Sequence, residues 1–159
     1  MRALAVLAAA LALALAVTGS SSAKGPVPCA PSVSNGVLPD WARGGFSDNA
    51  PSMPHTVGRM GWIAALLFAQ PLLAPPGRTY NNKILWVARK PLTKPSDLRI
   101  TAQRMVGARP VGASVLRRVQ GGPGPSIINL PRAGCWRFTL RWARSVDELD
   151  LVYVPRGSR

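Results

Sequence analysis

Between residues 135 and 153 the chain alternates with a period of two. Trp136, Phe138, Leu140 and Trp142 hold one set of positions and Cys135, Arg137, Thr139 and Arg141 the other; after a turn across 143–147, Leu149, Leu151 and Tyr153 resume the apolar set. Successive side chains of a strand point to opposite faces, so this pattern predicts a β-hairpin with one face in the core and Cys135 on the other face beside Arg137 and Arg141. Residues 97–105 repeat it, with Leu98, Ile100 and Ala102 inward and Arg99, Thr101 and Gln103 on a wet face. Residues 62–69 are almost wholly apolar, and in 82–90 Ile84, Trp86 and Ala88 share one face while Leu85 and Val87 share the other. Both segments are expected to be central strands covered on both sides. A weaker strand covers 111–119 and a short one 127–130, separated by the Gly/Pro loop 121–125, where Pro removes ladder donors.

The texture before residue 59 differs. Residues 24–56 are rich in Pro, Ser, Asn and Gly, carry Trp41 and Phe46, and keep no sustained period, which predicts an extended arm. Ahead of the arm, Arg2, an unbroken Ala/Leu/Val run and Ser21-Ser22-Ala23 predict a secretory signal cleaved after Ala23. The run is about 15 residues, short of the roughly 20 that cross a bilayer as a helix. Pro28 before Cys29 is not the small residue that lipidation of that cysteine needs. The organisation expected is therefore a signal at 1–23, an arm at 24–58 and a β domain at 59–159. Six or seven strands with turn signals every 8 to 12 residues, and no long amphipathic helix after the signal, predict an all-β fold: an immunoglobulin-like antiparallel β-sandwich of about seven strands, with a closed barrel as the alternative.

Composition sharpens this picture. Apolar residues make up 47% and charged residues 16% of the 159, enough apolar content for one packed domain. Basic residues number 20 against 6 acids, and loss of Arg2 with the signal leaves +13. Ten bases and one acid lie in residues 78–118, and four bases and no acid in 132–144. Such a field attracts polyanions. Outside the cytoplasm these are anionic cell-envelope polymers, lipid headgroups or an acidic protein partner, and Arg99, Arg137 and Arg141 are the residues expected to line the surface. Nucleic acid is disfavoured, because the aromatics that would interleave with the bases, Trp86, Trp136 and Trp142, belong to the core by pattern.

Candidate chemistry is sparse. Two cysteines, Cys29 and Cys135, in an oxidising compartment favour one disulfide, which ties the arm across the outside of the sheet or its edge. Gly134-Cys135-Trp136-Arg137 superficially resembles the Gly-Cys-x-Arg of wall-linking L,D-transpeptidases, with His55 as the available base, but Ala133 stands where those enzymes have His. A wall-modifying Cys-dependent enzyme using Cys135 and His55 is the alternative function, and it requires a free thiol. Asp147, Glu148 and Asp150 read as a solvated turn facing Arg141 and Arg144. No metal-ligand spacing, phosphate loop or dinucleotide fingerprint is present, and no cofactor is expected.

The stretches Gly61-Trp62-Ile63-Ala64-Ala65-Leu66-Leu67-Phe68 and Asn82-Lys83-Ile84-Leu85-Trp86-Val87, and Gly121 to Ile128 followed by Pro131-Arg132-Ala133-Gly134-Cys135-Trp136-Arg137, resemble a family of uncharacterised exported actinobacterial proteins. The resemblance covers roughly residues 29 to 155. It implies export and a single domain, and it brings no catalytic residue. The expectation is thus a secreted or envelope-associated, non-catalytic basic β-sandwich.

Overall fold

A computed structural model describes residues 26–157. The predicted signal, 1–23, lies outside the described residues. The strands are β1 (Ser34–Val37), β2 (Ser52–Val57), β3 (Ile63–Leu67), β4 (Leu72–Ala74), β5 (Lys83–Ala88), β6 (Leu98–Val106), β7 (Arg109–Pro110), β8 (Val115–Val119), β9 (Pro125–Ile127), β10 (Gly134–Trp142) and β11 (Ser145–Pro155). They form a five-stranded sheet, β1-β2-β3-β5-β9, and a six-stranded sheet, β4-β11-β10-β6-β7, with β8 also paired to β6. Among the described residues no strand of one sheet pairs with the other, so the fold is an open all-β sandwich and the closed barrel is set aside. Every pairing is antiparallel except the short parallel one between β4 and β11.

The alternating segments do as their period requires. Leu98, Ile100 and Ala102 of β6, Trp136, Phe138 and Leu140 of β10, and Leu149, Leu151 and Tyr153 of β11 meet Ile63, Ala65 and Leu67 of β3 and Ile84 and Trp86 of β5 in one core. Phe138 sits between Trp86 and Tyr153, with ring centroids 6.1 and 6.4 Å apart. Each fully buried side chain of this size contributes roughly 1.5–3 kcal/mol, and the polar tips are satisfied: Tyr153 Oη donates to the Ile128 carbonyl at 2.7 Å and Trp86 Nε1 to Ser126 Oγ at 2.9 Å. Burial raises the Tyr153 hydroxyl pKa well above its ordinary value.

β3 is apolar on both sides because it has two neighbours. Its second face, Ala64 and Leu66, packs against Leu38 and Ala42, with Trp41, Phe46, Met53 and Val57 around them. The stretch predicted to be an extended arm is therefore part of the sandwich. It supplies β1, β2 and a single 3-10 turn, Asp40–Ala42, that folds over the outer face of the first sheet. Pro54, which has no N–H to donate, falls inside β2, and the buried residues Leu38, Ala42, His55 and Thr56 follow no period of two, so nothing survives for a sequence reading to find.

Candidate functional site

The outer face of the second sheet is laid out by register. On β10, Arg141 stands opposite Arg99 of β6 and Val146 of β11; Thr139 opposite Thr101 and Glu148; Arg137 opposite Gln103 and Asp150; and Cys135 opposite Met105 and Val152. Arg99 faces Arg118 of β8 on its other side, so Arg118, Arg99 and Arg141 form one row of cations across three strands. The three arginines expected to line a binding surface thus share a face but not a role.

Arg137 is engaged within the fold. Its guanidinium donates to Asp150 Oδ1 from Nε at 3.0 Å and to Oδ2 from Nη2 at 3.2 Å, and Nη2 also reaches the carbonyls of Val27 and Pro28. Asp150 further accepts the Ala30 N–H at 2.9 Å and Arg59 Nη2 at 2.7 Å. Burial would push the Asp150 carboxyl up, but the hydrogen bonds from Arg137 and Ala30 and the charges of Arg137 and Arg59 outweigh it and hold the pKa below the usual carboxylate value. The same hydrogen bond raises the Arg137 pKa. Beside this latch Cys29 and Cys135 form a disulfide spanning 106 residues, and the Cys29 N–H donates to the Gly107 carbonyl at 2.9 Å. The segment 27–30 is thereby fixed across the outside of the second sheet.

The guanidinium groups of Arg99 and Arg141 make no hydrogen bond or ion pair among the described residues. They line a cavity of about 410 Å³ together with Arg144, Asp97 and Ser96. Asp97, the one acid there, is already held: it accepts the Gly121 N–H at 2.9 Å and pairs with Arg118. The Gly121 hydrogen bond, then Arg118 and the nearby charge of Arg99, outweigh burial and keep its carboxyl below the usual range. This cavity shares Ser96, Trp142, Ala143, Arg144 and Ser145 with a groove of about 680 Å³ whose far wall holds Trp62, Lys90 and Lys94. The charged side chains of the groove proper are all cations.

The wall between the two is the β10–β11 turn. Ala143 has φ 45° and is the one non-glycine residue at positive φ among the described residues. Its Cβ makes that conformation unfavourable, and strain of this kind concentrates at binding sites. Its N–H donates to Ser96 Oγ at 2.7 Å, so the turn is clipped to the loop carrying Lys90 and Lys94.

Trp62 is placed by a buried carboxylate. The turn from β2 to β3 presents the N–H groups of Met60 and Trp62 to Asp147 at 2.9 and 2.8 Å. A Cβ on Gly58 would collide with that carboxylate, so the turn closes down only because residue 58 is glycine. Asp147 is 1% exposed and faces inward beside Leu149, while Glu148 and Asp150 face outward on the same strand. The acidic cluster is therefore not the solvated turn expected from the sequence. Its partners are Arg59, Arg137 and backbone N–H groups, and Arg141 faces Val146 instead.

Cys135 and His55 are not brought together. Cys135 is disulfide-bonded on the outer face of the second sheet, whereas His55 pairs with Leu66 on the outer face of the first, buried, with Nδ1 2.9 Å from the Met53 carbonyl. Among the described residues no three His, Cys, Asp or Glu side chains gather as metal ligands. Sequence reasoning missed Trp62, Lys90, Lys94 and Arg144, whose available signal was two lysines each followed by proline in one loop. The chain matches no protein-family model, no curated protein and no solved structure.

Proposed function

We propose that this protein is an exported, non-catalytic β-sandwich that binds an anionic cell-envelope polymer at the end of the sandwich formed by the β10–β11 turn and residues 90–99. The observation that carries the reading is the direct opposition of Arg99 and Arg141 on neighbouring strands, with Arg144 beside them and the one carboxylate of the cavity, Asp97, already hydrogen-bonded to Gly121 and paired with Arg118. Like charges facing each other across a ladder are destabilising, and a bound polyanion removes that cost. The export pattern of residues 1–23 and the overall excess of bases are in keeping with a partner outside the cytoplasm.

The experiment is a calorimetric titration of the disulfide-closed protein with inorganic polyphosphate across a series of salt concentrations. Binding is expected to weaken steeply as salt rises, because exposed charges are screened, and to fall about tenfold or more in the Arg99→Ala/Arg141→Ala double variant. Binding insensitive to salt, or unchanged in the double variant, would falsify the proposal.

A further inference from the structure

We infer that the groove lined by Trp62, Lys90 and Lys94 recognises the sugar of a phosphate-bearing glycan, so that the polymer bound is one in which sugar rings alternate with phosphodiesters. The inference rests on the polyanion reading above and names its substrate class. Trp62 is 37% exposed, although its backbone is immobilised on both sides: its N–H is held by Asp147 at 2.8 Å and its carbonyl accepts the Arg89 N–H at 2.8 Å. A large aromatic surface kept open on a rigid frame is a stacking platform that loses little entropy on binding. Lys90 Nζ lies over one face of that ring, 5.1 Å from its centre, so a sugar would stack on the part of the indole that stays exposed, with a cation held against the ring beside it. The apolar C–H face of a sugar packs on indole, and its phosphate substituents then meet Lys90 and Lys94 on one side and Arg144 on the other.

The groove is a weaker match for single-stranded nucleic acid. Such strands are held by successive aromatic platforms, and the second tryptophan in the wall, Trp142, is 4% exposed and has no face to offer. The hydroxyls of Thr93 and Ser145, which also line the groove, suit the hydroxyls of a sugar.

The test compares four probes by calorimetry at one salt concentration: a glucose oligomer linked by phosphodiesters, inorganic polyphosphate of matched charge, an unphosphorylated glucose oligomer, and oligothymidylate of matched phosphate number. The sugar phosphate is expected to bind about tenfold more tightly than polyphosphate. Trp62→Ala should erase that preference while leaving polyphosphate binding intact, and Trp62→Phe should keep it. Equal binding of sugar phosphate and polyphosphate by the wild-type protein overturns the inference and leaves the polyanion reading standing; this comparison decides the matter even if Trp62→Ala fails to fold. Oligothymidylate binding as tightly as the sugar phosphate overturns it in favour of nucleic acid. Failure of every phosphorylated probe to bind brings down both readings.

Discussion

The Trp62 N–H donates to the Asp147 carboxylate at 2.8 Å, joining the turn of the first sheet to the last strand of the second. The same carboxylate takes the Met60 N–H at 2.9 Å and the Glu148 N–H at 2.8 Å, so removing it leaves three backbone donors without that acceptor. An unsatisfied buried donor costs about 1–3 kcal/mol. Asp147→Ala is therefore expected to lower the unfolding free energy by about 2–4 kcal/mol, which a urea titration reads directly. A loss below about 1 kcal/mol would show that Asp147 does not anchor the turn.

The disulfide should act chiefly on the unfolded chain. Closing a loop of 106 residues is worth about 4–5 kcal/mol in the chain-entropy model, and losing a native bridge from a small exported domain costs about 2–5 kcal/mol. The Cys29→Ser/Cys135→Ser variant is expected to shift the urea midpoint down by that amount. The Arg99 and Arg141 end should still bind polyphosphate wherever the variant remains folded, because Cys135 and Arg141 are separated by most of the length of β10, roughly 20 Å at the rise of a strand. Loss of binding in a folded variant would mean that the two ends are coupled.

How much of this was legible depends on where period two survives. β6, β10 and β11 could be read because one face of each is buried and the other wet, so Leu98, Phe138 and Leu151 fall on strict alternation with Arg99, Arg137 and Val152. β3 was legible as doubly covered, but what covers it was not, since Leu38, Trp41, Ala42 and Phe46 form no pattern along the chain. The location of Asp147 was encoded by parity with Leu149 and obscured by its nearness to a turn. The groove was illegible for a topological reason. Its walls come from the β2–β3 turn, the loop before β6 and the β10–β11 turn, which only the packing of the two sheets brings together.

Acid should weaken the latch over segment 27–30. Asp150 has a pKa below its ordinary 3.8 in the folded protein, so the unfolded chain takes up its proton at higher pH than the folded one. Its stabilising contribution is then complete above about pH 4 and is lost as pH falls through the depressed folded value. Comparing urea midpoints at pH 7 and pH 3, the wild type is expected to lose more stability than Asp150→Asn, which cannot titrate at that position. Equal losses would place the acid sensitivity elsewhere, with Asp97, also depressed, the first to test.

Arg99 and Arg141 offer a way to separate binding from stability. Because they oppose each other directly and neither forms an ion pair, replacing one by glutamate converts a repulsive cross-strand pair into an attractive one. Opposite charges at directly paired positions contribute roughly 0.2–1 kcal/mol, so Arg141→Glu is expected to be as stable as the wild type or slightly more so. Polyphosphate affinity should meanwhile fall by more than tenfold, since the variant loses one cation and engages a second. Most substitutions at a structurally neutral surface position leave both quantities unchanged, and those in a core lower both. A gain in stability together with a loss of binding is the signature of a residue whose charge serves a ligand at a cost to the fold, and its absence from Arg141→Glu would remove the row from the binding site.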